Sequence, residues 1–107
     1  MTPLKKVALV ADIPPDSRKV VECEGMGIVI FNIKGSYFAV GRNCPHEGGH
    51  LDEGTIEGMV LTCPSHGMTF DLATGDSLED GGYSITRYEV MADGESIFLG
   101  GPITSIL

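Results

Sequence analysis

Two short blocks, Cys44-Pro45-His46 and Cys63-Pro64-Ser65-His66, stand sixteen residues apart in the stretch 43–71. Two thiols and two imidazoles in matched blocks are a metal-site signal. For both blocks to serve one site, the intervening chain must leave that place and return to it. The rest of the sequence then reads as a scaffold that presents two loops side by side.

The chain suits that role. It has 107 residues, enough for one core and too few for a second, so residues 1–107 are expected to form a single domain. Residues 5–10 are apolar and β-rich, and Ile13-Pro14-Pro15-Asp16 ends them, because proline fixes φ and removes a donor. Residues 18–24 set Val20 and Val21 among charged neighbours. The run Ile28-Val29-Ile30-Phe31-Asn32-Ile33 is almost continuously apolar, as in a buried strand. Lys34-Gly35-Ser36 is a hairpin signal, and residues 37–40 return as a strand that delivers the chain to Cys44.

Between the blocks, Asp52-Glu53-Gly54 and Glu57-Gly58 punctuate a short hairpin whose second arm, Met59-Val60-Leu61-Thr62, leads into Cys63. Gly67 permits positive φ, residues 68–72 alternate as a strand, and Ala73-Thr74-Gly75-Asp76 turns. Residues 85–90 and 96–99 flank the turn Ala92-Asp93-Gly94. No window keeps a helical period. The expected fold is therefore all-β, an antiparallel sandwich or barrel with a small lobe at about 43–71 formed around the two loops.

The order Cys-x-His then Cys-x-x-His, together with EGGHL after the first block and GMTFDLATG after the second, closely resembles the Rieske iron–sulfur family. The resemblance covers nearly the whole chain. It implies one 2Fe-2S cluster per chain, with Cys44 and Cys63 on the buried iron and His46 and His66 on the outer one. A structural zinc site also uses two cysteines and two histidines, but common zinc fingers place Cys-x-x-Cys first and His-x-x-x-His last.

Within the family, respiratory-chain members carry an extra cysteine in each loop and lock the loops with a disulfide. Here those positions are Gly49 and Ser65, which cannot form one. The same proteins place hydroxyl donors where this chain has Met68 and Phe70. Fewer donors to the cluster sulfurs, with Glu47, Asp52, Glu53 and Glu57 nearby in sequence, leave the reduced state less stabilised; a potential of about -150 mV is expected. The chain thus looks like a small soluble Rieske ferredoxin of the kind found in bacterial ring-hydroxylating oxygenase systems. Residues 78–82, LEDGG, lack the proline-bearing loop that usually covers the cluster.

That resemblance implies a one-electron carrier between a flavin-dependent reductase and a terminal oxygenase, an electron-transfer component rather than an enzyme. It would be a monomer that docks transiently. The alternative is the small Rieske subunit of an assimilatory nitrite reductase, and a structural zinc-binding module is a third reading. Fifteen Asp and Glu against seven Lys and Arg, a net charge of -8, argue against nucleic-acid binding and favour basic protein partners. No apolar run suits a signal peptide or a membrane span, so a soluble cytoplasmic protein with reduced thiols is expected. His50 reads as an exposed loop histidine, Cys23 as a structural thiol, and Met26, Met59, Met68 and Met91 as packing groups.

Overall fold

A computed structural model describes residues 4–23, 25–43, 49–64, 67–78 and 84–103. Among the described residues nine strands follow one another: β1 (Lys5–Leu9), β2 (Arg18–Cys23), β3 (Met26–Ile33), β4 (Ser36–Gly41), β5 (Thr55–Glu57), β6 (Val60–Thr62), β7 (Thr69–Asp71), β8 (Arg87–Asp93) and β9 (Ser96–Ile103). Six of them form one antiparallel sheet in the order β1-β9-β8-β4-β3-β2, whose edge strands β1 and β2 approach each other, so that the sheet curls into a nearly closed barrel. The other three form a small sheet, β5-β6-β7, confirming an all-β scaffold with a lobe.

The apolar run at β3 has a direct cause. Alternate side chains of a strand point to opposite faces. Ile28 and Ile30 enter the barrel core with Ala8, Val21, Ala39, Ile97 and Leu99, whereas Val29 and Phe31 enter a second core with Leu51, Leu61, Cys63, Phe70 and Leu72 beneath the small sheet. One strand therefore serves both cores, and no polar face is left to break the run. β2 behaves the same way on a smaller scale: Val21 is buried in the barrel while Val20 packs against the lobe core.

The hairpin after β3 turns through Lys34 and Gly35, with φ of 53° and 94°. Two successive positive φ values match the right-handed twist of the flanking strands. Behind the turn lies Asn32, a buried polar residue, 3% exposed. Its amide nitrogen donates to the Ile13 carbonyl at 2.7 Å and its oxygen accepts the Gly35 N–H at 2.8 Å. Replacing it by leucine leaves a carbonyl and an N–H unsatisfied. Asn32→Leu is expected to lower the unfolding free energy by about 3 kcal/mol, read from urea titration with an unchanged slope.

Two short 3-10 turns, Val10–Asp12 and Leu51–Glu53, are additions to the expected all-strand pattern. The second carries Leu51, fully buried in the lobe core. Met59 and Met68 pack against that core as expected. Met26 and Met91 do not fit the expectation: both are 46% exposed. Among the described residues no helix is long and apolar enough to cross a membrane.

Candidate metal centre

The described residues that flank each Cys/His block in sequence are held together by backbone pairing. The first loop leaves β4 through Arg42 and Asn43. Asn43 bridges His50 in antiparallel fashion, and the Leu51 N–H donates to the Arg42 carbonyl at 2.7 Å. Cys44, His46 and Glu47 lie within that neck in sequence and outside the described residues. The second loop leaves β6 at Cys63, whose N–H donates to the Met68 carbonyl at 2.8 Å and whose carbonyl accepts the Gly67 N–H at 3.0 Å. Gly67 has φ of 72°, a left-handed turn that a side chain would strain. Ser65 and His66, between Cys63 and Gly67 in sequence, are likewise outside the described residues.

Of the four expected ligands, Cys63 is the one the described structure places. It is 0% exposed, packed in the lobe core with Leu61 and Phe70, and not in a disulfide. A buried free thiol at the mouth of a necked loop suits a thiolate ligand that must be shielded from water, and a set of two thiolates and two imidazoles has the donor chemistry of a mixed-ligand cluster. The residues present fit the group.

The surrounding side chains were only partly visible in the sequence. Phe70 is fully buried, so a hydrocarbon ring occupies the place expected to lack a hydroxyl donor, and Met68 is half-buried beside it. His50 is exposed, consistent with a loop histidine. Cys23 is half-buried at the end of β2 against the barrel core and free, consistent with a structural thiol. Asp52, expected as one of four acids near the ligand blocks in sequence, is paired: its carboxylate accepts from Arg42 Nε at 3.0 Å. Arg18 and Arg42 were not singled out from the sequence, since nothing local marks an arginine that bonds 34 residues away. Of residues 78–82, expected to lack a covering loop, Leu78 is 57% exposed and 79–82 lie outside the described residues.

The comparisons agree with this construction. The model of the Rieske [2Fe-2S] domain matches residues 4–83. The 3-phenylpropionate/cinnamic acid dioxygenase ferredoxin subunit of Shigella boydii is 30% identical over 95 residues, 87% of this chain and 89% of that protein. Human apoptosis-inducing factor 3 is also 30% identical over 95 residues, but the chain spans only 16% of its length. Among solved structures, the ferredoxin of Sphingomonas yanoikuyae B1 superposes with a TM-score of 0.81 at 25% identity, covering 94% of this chain and 100% of that one. A chain from the complex of reduced oxygenase and oxidised ferredoxin in carbazole 1,9a-dioxygenase gives 0.85 at 23% identity, over 99% of this chain and 100% of that one. A Mycobacterium tuberculosis protein assigned as an NADH-dependent nitrite reductase small subunit gives 0.85 at 19% identity, over 99% of both; at that identity it shows the fold alone. A match over residues 4–83, with the ligand blocks inside it and a buried free Cys63 at the mouth of the second loop, establishes that the chain belongs to the Rieske [2Fe-2S] domain family.

Proposed function

We propose that this chain is a single-domain, monomeric carrier of single electrons, delivering them from a flavin-dependent reductase to a terminal oxygenase. Cys44 and Cys63 would hold one iron and His46 and His66 the other, and the observation that carries this assignment is the fully buried, unpaired Cys63 thiol at the mouth of a necked loop. When bound, the cluster supplies a one-electron store that needs no substrate bond to be made or broken. The chain's own task is to hold the four donors, exclude water from the inner thiolate and present the loops to a partner. The dioxygenase ferredoxin relative supports an oxygenase as the acceptor. Reduced thiols and the acidic composition are consistent with work in the cytoplasm.

The charge is distributed to serve docking. All of the net charge of -8 lies in the segment 43–86, which holds eight Asp and Glu and no Lys or Arg; the remaining residues carry seven of each sign. Among these acids Glu53, Glu57 and Asp76 are exposed on the described surface. The segment that carries the ligand blocks is thus acidic in sequence against a remainder of zero net charge, and a basic partner would be steered toward it.

The test is a set of measurements on the purified protein. It should be reddish-brown, with two irons and two sulfides per chain as the family model implies, and when reduced should give an electron paramagnetic resonance signal whose average g lies below that of all-cysteine clusters. Its midpoint should fall near about -150 mV. Reduction by a flavoprotein reductase should slow by roughly tenfold between low salt and about 0.5 M salt, where screening shortens the reach of the field to a few ångströms. A colourless protein with stoichiometric zinc would overturn the proposal. Copurification with a large reductase subunit would replace the free carrier by the nitrite reductase reading.

A further inference from the structure

The neck of the first loop is held by two arginines with different tasks. Arg42, at the end of β4, ties the neck to itself: its Nε donates to Asp52 across the loop at 3.0 Å, and its carbonyl accepts the Leu51 N–H. Arg18 comes from β2, on the barrel, and ties the neck to the scaffold. Its Nη1 donates to the main-chain carbonyls of Asp52, at 3.0 Å, and of Gly54. Its guanidinium carbon stands 4.9 Å from the centre of the Phe31 ring, itself buried in the lobe core. One guanidinium nitrogen serves two carbonyls at the end of a 3-10 turn while the planar group stands over an aromatic face, a contact that a compact ammonium on a flexible stem reproduces poorly.

The bracket stands where no covalent tie can. The chain has three cysteines, of which Cys44 and Cys63 lie in the ligand blocks and Cys23 is free on β2, so a disulfide between the loops would consume the donors. The acceptors of Arg18 also lie at a junction. Asp52 and Gly54 follow the first loop, and the next residue, Thr55, begins β5 and pairs with Thr62, the residue before Cys63. Fixing these two carbonyls thus fixes the exit of one loop and the entry of the other.

We propose that Arg18 is a positioning residue for the ligand loops: stacked on Phe31 and bonded to the Asp52 and Gly54 carbonyls, it anchors both loops to the barrel so that the four donors stay converged. This rests on the ligand assignment above. Loss of charge-assisted bonds from a half-buried neck should raise the population of an opened loop while leaving the barrel strands alone.

The experiment uses the cluster-bearing protein, its Arg18→Met variant, which keeps an apolar stem, and Arg18→Lys, which keeps the charge without the planar group over Phe31. The readouts are the rate at which excess iron chelator bleaches the visible absorbance, and amide hydrogen exchange. Both variants should bleach roughly tenfold faster than wild type. Exchange at Leu51 and Gly54 should accelerate while exchange in β3 and β4 stays unchanged. Unchanged bleaching and exchange, an equal acceleration throughout the barrel, or full rescue by lysine would each overturn the proposal. A wild-type chain that binds no iron would instead fell the ligand assignment on which it rests.

Discussion

Cys63→Ala is expected to give a colourless protein that keeps its barrel. The thiol is fully buried in the lobe core, where it is joined by Leu61, Phe70 and Leu72, and it contributes nothing to the barrel core of Ile28, Ile30, Ile97 and Leu99. Removing one sulfur from a buried site costs about 1 kcal/mol of packing, a loss the two-core architecture confines to the lobe. With Cys63 as a ligand, as proposed, the effect on the metal is all or none, because the hydrocarbon surroundings of Cys63 offer no replacement donor and cluster binding is coupled to the folding of the loops. Iron and sulfide content should fall to near zero with the far-ultraviolet circular dichroism retained. His50→Ala is the control: its side chain is exposed and its bridge to Asn43 is made by main-chain atoms, so the cluster should stay. A Cys63→Ala protein that keeps its visible absorbance would remove Cys63 from the ligand set.

The scaffold was legible in the sequence where one residue type does one thing. The hairpin at Lys34 and Gly35, the positive φ at Gly67 and the turn at Gly75 follow from local chemistry, and each is found. Of the second block, expected from the sequence to hold ligands, the structure places Cys63, which is buried. β2 was harder to read, because Val20 and Val21 go to different cores and so produce neither clean alternation nor a long apolar run. The 3-10 turn at Leu51–Glu53 is too short to carry a period at all. The least visible layer is the one that joins the two sheets. Arg18 bonds across 34 and 36 residues, and Asp52, which reads as one more surface acid, is half-buried and paired. Such contacts are set by how the lobe docks on the barrel, and no local pattern encodes them.

Gly54→Ala should be the most damaging single-methyl change in the described lobe. Gly54 is extended, with φ of -75° and ψ of 170°, so backbone preference does not require glycine there. Space does. An added Cβ would stand 2.3 Å from the Thr62 carbonyl oxygen, 3.0 Å from a Leu61 methyl and 3.2 Å from the Leu51 carbonyl oxygen. The nearest of these is a backbone atom in the β5–β6 pairing, which cannot rotate away as a side-chain end could. Relief requires β5 and β6 to separate, moving Thr62 and with it the start of the Cys63 loop, and it also strains the Gly54 N–H bond to Leu51 and the Arg18 contact. The expected cost is about 3 kcal/mol, the upper end for overpacking, or on the order of 15 °C in thermal midpoint, with cluster content reduced in parallel. Gly58→Ala separates this mechanism from conformational strain. Gly58 has φ of 61° and nothing within 4 Å of its added Cβ, so that variant should lose about 1 kcal/mol and keep its cluster. If both alanine variants lose the same stability and the same iron, the close approach of β6 to Gly54 is not what holds the loops together.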